Sequence, residues 1–263
     1  MIIDSHCHAG AGFGLRAPWS GRPLFPRYLR RASAAGITHS ALFANFHEDY
    51  AEANRAVAML VAADRQRFFG LAYVHAKRDR GRIFEMLRTA VERYGFVAIK
   101  VHRRDARISR EVCAAARAFS LPVLYDVEKE LKVLDWLARD FPDLPVIVPH
   151  LSSFAEDWRS QSAFLDRLEA YDNLYADSSG VRFFDLLARL VGRCGAHRLL
   201  FGSDGPWLHP GVELAKIKAL GLPPGDEALV LGGNFLRLIG GRAVSEISSL
   251  DGVRHGASAG SDR

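Results

Sequence analysis

The chain has 263 residues, 49% apolar and 25% charged, the profile of an ordinary globular protein long enough to bury a core. Its net charge of +5 comes from 29 Arg and 6 Lys set mostly beside acidic residues; the clusters Arg27/Arg30/Arg31 and Arg103/Arg104/Arg107/Arg110 lack interleaved aromatics, which argues against nucleic acid. No leader pattern and no run near the roughly 18 apolar residues of a membrane span appear, and Cys7, Cys113 and Cys194 form neither a disulfide framework nor a thiolate metal site, so a cytoplasmic location is expected.

Short β-rich apolar runs alternate with longer helical patterns. The strands are expected at Ile2–His6, Ile37–Phe43, Phe68–His75, Phe96–His102, Leu121–Asp126, Pro145–Leu151, Asn173–Ser178 and Arg198–Asp204. Helices are expected at Glu48–Arg65, Arg82–Tyr94, Glu111–Phe119, Glu130–Arg139, Phe154–Tyr171, Arg182–Val191, Gly211–Leu220 and Asp226–Ile239. Eight strands alternating with helices predict a single-domain α/β protein of the TIM (β/α)8 barrel class over residues 1–240. Apolar density collapses after Gly240, so residues 241–263 are expected to be a flexible polar tail. The glycine-rich stretch Ala9–Arg22 follows the first strand, where barrel enzymes carry active-site loops.

The first strand runs into Ile3-Asp4-Ser5-His6-Cys7-His8. Residues two apart on a strand face the same side, so His6 and His8 can converge on one ion while Cys7 turns away. His-x-His alone is a weak signal, since two hydrogen-bonded histidines at a strand end would look the same. Its weight comes from the other strand ends. The fourth carries Lys100 and His102 on one face, the fifth ends at Asp126, the sixth at His150 and the eighth at Asp204. Ionisable groups are expensive to bury unless paired or metal-bound, and in a barrel all these ends share one rim. Neutral imidazoles with a carboxylate suit zinc, manganese or iron(II). A divalent ion brings the pKa of bound water from about 15.7 toward about 7.

Asp4-x-His6-x-His8, Gly95–His102, Pro145–Leu151, Asn173–Gly180 and Leu200-Phe-Gly-Ser-Asp-Gly-Pro206, with Gly232–Ile239 near the end, resemble the amidohydrolase-2 branch of the amidohydrolase superfamily, in order from about residue 1 to 240. That branch holds hydrolases and non-oxidative decarboxylases sharing one metal site. The resemblance implies that His6 and His8 are metal ligands, that Asp204 touches the metal and handles a proton, and that His150 is an acid/base or polarises the substrate. The fifth strand of the branch usually ends in a histidine ligand; here Asp126 stands in its place and is expected as a carboxylate ligand. Lys100 is either carboxylated as a metal bridge or, in the plainer reading, a buried lysine paired with Asp126 or Asp204. His102, Arg103, Trp207 and Arg16 are expected around the substrate, the arginines because their forks match a carboxylate.

The function expected is metal-dependent hydrolysis of an ester, lactone or amide carbonyl in a small, anionic substrate, with zinc as the metal and manganese as its alternative. Non-oxidative decarboxylation of an aromatic or unsaturated acid on the same site is the second reading. A ligand-binding barrel without catalysis is the third. The expected partner is a small-molecule substrate, with no nucleic acid or membrane and with a homodimer left open.

Overall fold

The computed structural model describes residues 1–154 and 157–240. The tail expected over 241–263, and residues 155 and 156 of the helix expected at Phe154–Tyr171, lie outside the described residues.

Eight parallel strands follow one another in sequence order around the sheet: β1 (Ile3–His8), β2 (His39–Phe43), β3 (Phe68–Tyr73), β4 (Ala98–His102), β5 (Val123–Asp126), β6 (Val146–Val148), β7 (Leu174–Asp177) and β8 (Leu199–Leu200). The ring closes between β1 and the residues following β8. Ser5 N donates to Phe201 O at 2.9 Å and His8 N to Gly205 O at 2.6 Å. The fold is a TIM barrel. In β4 and β5 the register sets Lys100 beside Leu124 and His102 beside Asp126. Residues paired this way point to the same side, so one histidine and one carboxylate are delivered to the same level of the rim.

Two strands are shorter than their apolar runs suggest. The sixth stops at Val148 because the chain turns at Pro149, and His150, Leu151 and Ser152 all adopt left-handed backbone with φ of 58°, 50° and 81°. The eighth keeps ladder pairing only at Leu199 and Leu200. Beyond it Asp204 also has a positive φ of 53°. Such conformations cost roughly 1–3 kcal/mol for non-glycine residues and persist where the surroundings over-determine them.

The helices pack outside the ring. Helix α1 (Phe25–Ala34) was not foreshadowed in the sequence: Arg27, Arg30 and Arg31 mask its periodicity, and only Tyr28 and Ala32 are buried. Next come α2 (Tyr50–Ala63), capped by the Asp49 carboxylate, α3 (Ile83–Glu92), α4 (Arg110–Ala118), capped by Ser109, α5 (Lys132–Asp140), α6 (Trp158–Ala170), capped by Asp157, α7 (Phe184–Cys194) and α8 (Pro210–Ala219). The last expected helix is broken into α9 (Pro224–Ala228), a π-helical turn (Leu229–Gly233) and α10 (Asn234–Leu238). The break falls at Gly232, where a side chain would lie 3.0 Å from Ile3 Cγ1 on β1. Tyr28, Tyr50, Tyr73, Tyr125, Phe43, Phe96, Phe164 and Phe201 are fully buried aromatics of the core. No helix among the described residues is long and apolar enough to cross a membrane.

Candidate metal centre

His6 and His8 are buried side by side on β1, and each has its Nδ1 tied away from the cavity. His6 Nδ1 donates to Asp177 Oδ2 at 2.7 Å, and His8 Nδ1 to the Ala44 carbonyl at 3.0 Å. A neutral imidazole has one proton, so both rings are held in the tautomer whose bare Nε2 faces inward. Those two atoms meet Asp204 Oδ1, at 3.5 Å from His6 Nε2 and 3.6 Å from His8 Nε2. The ligand atoms of His6, His8 and Asp204 all lie within 4.8 Å of one another.

The electrostatics follow from burial. Desolvation pushes His6 down to about 4, against the pull of Asp177, and pushes His8 well below the ordinary imidazole range. Both rings are therefore neutral at neutral pH. Burial also raises the Asp204 carboxyl to about 7, only partly offset by the charges of His150 and Lys100. Once Asp204 is ionised, the two imidazole lone pairs and its carboxylate oxygen face one another and form a donor set of two nitrogens and one oxygen. Zinc and manganese both accept such a set. The residues present fit a divalent ion.

Beside this cluster lies His150, whose Nδ1 donates to the Ser179 carbonyl at 2.7 Å. Its left-handed backbone is held from behind by Gln161, fully buried on α6, whose Nε2 donates to the carbonyls of His150 at 3.1 Å and Ser153 at 2.7 Å. Asp126, expected as a fourth ligand, is not part of the cluster of three. Its Oδ2 is 3.2 Å from His102 Nε2 and 3.7 Å from His150 Nε2, because the strand register turns it toward His102. Burial pushes Asp126 up, but the His102 hydrogen bond and the charges of His102, His150 and Lys100 outweigh it and hold the carboxyl well below its usual range.

The family profile of the amidohydrolases matches residues 3–241. The chain belongs to the amidohydrolase family. Among curated proteins no significant sequence match is found. The barrel is similar to solved structures at low identity. One is 5-carboxyvanillate decarboxylase from Sphingomonas paucimobilis, with TM-score 0.70 and 14% identity over 90% of this chain and 98% of that one. Another is 4-oxalomesaconate hydratase from Rhodopseudomonas palustris, with TM-score 0.71 and 17% identity over 97% and 100%. A third is dihydroxybenzoic acid decarboxylase from Polaromonas sp. JS666, solved with manganese and the inhibitor 2-nitroresorcinol, with TM-score 0.67 and 16% identity over 90% and 96%.

In this amidohydrolase the three clustered residues open into a cavity of about 530 Å³ whose walls include Phe46, His102, Asp126, His150, Phe154 and Trp207. The Trp207 ring lies 4.6 Å from that of His8, and its Nε1 donates to Gly14 O at 2.7 Å. Lys100 also lines the cavity and is 1% exposed. The expected ion pair with Asp126 or Asp204 is not formed. Lys100 Nζ instead sits 5.1 Å from the centroid of the Phe43 ring, and burial lowers its pKa although Asp126, Asp177 and Asp204 pull it back up.

The two arginines expected at the substrate are absent from the cavity walls. Arg103 Nε is engaged by Glu130, which also takes Arg107. Arg16 folds back on its own loop, donating to Gly21 O at 3.0 Å. Lys129 stands on the cavity wall, 3.2 Å from Asp157.

Sequence reasoning passed over Asp177, the residue that orients His6. It ends β7 as Asp204 follows β8, so the same strand-end signal was available. Ser179 donates both N–H, at 2.9 Å, and Oγ–H to Asp177 Oδ1. With the His6 bond these outweigh burial and keep Asp177 ionised. Asp4 accepts the His6 N–H at 3.1 Å, the Ser203 N–H at 2.9 Å and the Tyr28 hydroxyl at 2.7 Å. It thereby ties β1, α1 and the Asp204 segment together.

Proposed function

We propose that this amidohydrolase is a metal-dependent hydrolase acting on the ester, lactone or amide carbonyl of a small substrate, with zinc as the metal and manganese as the alternative. The observation that carries the reading is the inward convergence of His6 Nε2, His8 Nε2 and Asp204 Oδ1, with both Nδ1 atoms tied behind. A divalent ion held by these three residues would supply Lewis acidity toward a substrate oxygen and lower the pKa of water.

The chain's own groups do the rest. Asp204 is buried beside His6 and His8 and lines the cavity, which places its carboxylate to accept a proton from a water and return it to a leaving group. His150 lines the same cavity, and its Nε2, left as a lone pair because Nδ1 donates to the Ser179 carbonyl, is placed to accept a proton from a water or substrate hydroxyl. Phe46, Phe154 and Trp207 wall the cavity and limit water. The Lys100 ammonium is the fully buried cation of the wall, and it favours an anionic substrate.

A second reading, decarboxylation of an aromatic acid, is favoured by those three aromatic walls beside Lys100 and His102. Two of the similar structures are decarboxylases of ring acids. Protein stripped by chelator and reloaded with zinc or manganese, offered lactones, esters and carboxylated aromatics, separates the two. Metal-dependent hydrolysis supports the first reading. Release of carbon dioxide without water uptake replaces it with the second, and failure to bind either metal removes both.

A further inference from the structure

Asp126 has the chemistry of a ligand and the geometry of something else. Its Oδ1 accepts the Glu128 N–H at 3.1 Å, which fixes the carboxylate plane, and its Oδ2 is turned toward two imidazoles at 3.2 and 3.7 Å. The two rings address it differently. His102 Nδ1 accepts the backbone N–H of Arg104 at 3.1 Å, so His102 carries its proton on Nε2 and donates to Asp126. His150 is the reverse: Nδ1 donates to the Ser179 carbonyl, leaving Nε2 as a lone pair beside the same Oδ2. With His150 neutral, its Nε2 and the carboxylate oxygen are two acceptors 3.7 Å apart, and a water that donates to both bridges them. The backbone makes the arrangement rigid, since β4 and β5 pair His102 with Asp126 in register and Gln161 pins the His150 turn.

We propose that Asp126 is a positioning residue outside the metal ligand set: it orients His102, and together with His150 Nε2 it binds one water, whose two O–H groups donate to the two acceptors. The site takes a neutral O–H donor and gives the cavity a hydrogen-bonding station separate from His6, His8 and Asp204. The proposal rests on the metal-centre reading only for what Asp126 does not do. The orientation of His102 stands without it.

The test uses the full chain, zinc-loaded and metal-free, with Asp126→Asn, Asp126→Ser and His6→Ala. Both Asp126 variants are expected to keep the wild-type zinc stoichiometry by elemental analysis, whereas His6→Ala loses zinc. Imidazole 15N resonances of His102 and His150 are expected to shift in the Asp126 variants, with those of His6 and His8 unmoved. Serine tests whether removing the carboxylate suffices where asparagine alone disturbs folding, as monitored by thermal unfolding. Zinc loss in both Asp126 variants to the level of His6→Ala would make Asp126 a ligand and overturn the proposal. Unchanged His102 and His150 resonances would overturn it as well. A wild-type chain that binds no zinc would end the metal reading, and the metal-free spectra would still decide the His102 arrangement.

Discussion

Asp177 Oδ2 and His6 Nδ1 meet at 2.7 Å across 171 residues of chain, and this bond decides which nitrogen of His6 faces the cavity. Replacing Asp177 by Asn leaves a neutral partner able to donate as well as accept, so the ring loses its fixed tautomer. Asp177→Asn is expected to weaken zinc binding by about 10–100-fold, the usual effect of losing a group that orients a metal-bound histidine. Calorimetric zinc titration against the wild type measures it, and an unchanged affinity would show that His6 is oriented by other means.

Metal uptake should carry a defined proton count. In the metal-free protein His6 titrates at about 4 and His8 below its ordinary range, so both are already neutral, while Asp204 holds its proton up to about 7. Because the metal needs the carboxylate ionised, about one proton is released per ion bound near pH 6 and almost none near pH 9, and affinity falls as pH drops below about 7. A raised acid pKa gives that sign. Titrations in two buffers of different ionisation enthalpy read the proton number, and an affinity flat from pH 6 to 8 would contradict it.

Gly202 is close to the centre in a way that sequence motifs alone do not explain. A methyl group there would lie 2.9 Å from His6 Cβ and 3.1 Å from Asp177 Cγ. Gly202→Ala is expected to cost roughly 1–3 kcal/mol of stability by overpacking and to weaken metal binding. Gly70→Ala meets the Phe96 ring at 2.1 Å instead, so it should destabilise without changing metal affinity. Thermal unfolding paired with zinc titration of both variants distinguishes a local effect at the site from a general one.

Gln161→Leu keeps approximate size and removes the two bonds that hold the His150 turn. The Ser153 carbonyl is left unpaired, which costs about 1–3 kcal/mol, and the His150 carbonyl keeps only the Ser153 N–H, so the left-handed backbone at His150 loses part of its support. Lower thermal stability with retained zinc stoichiometry and reduced turnover is the expected pattern. Loss of zinc would place the effect in the ligand cluster instead.

The barrel was legible because strand and helix periods differ and because ionisable residues ended several apolar runs. Helix α1 escaped because its buried face is only Tyr28 and Ala32 among arginines. The placements of Arg16 and Arg103 depended on which acceptor each met first, Gly21 O and Glu130, and linear spacing carries no such information. The left-handed turns at His150 and Asp204 likewise follow from tertiary support rather than local propensity, since neither position is a glycine. Asp126 could be read as a ligand by residue type alone; its engagement with His102 is a consequence of register.

The seam between β1 and the segment after β8 joins the barrel through Ser5 with Phe201 and His8 with Gly205. His6 and His8 stand on one lip of that seam and Asp204 on the other. The ligand set therefore does not exist on a nascent chain until the eighth repeat has docked against the first. A divalent ion held by these three residues would bridge the two lips of the seam, and opening the seam would pull its donors apart.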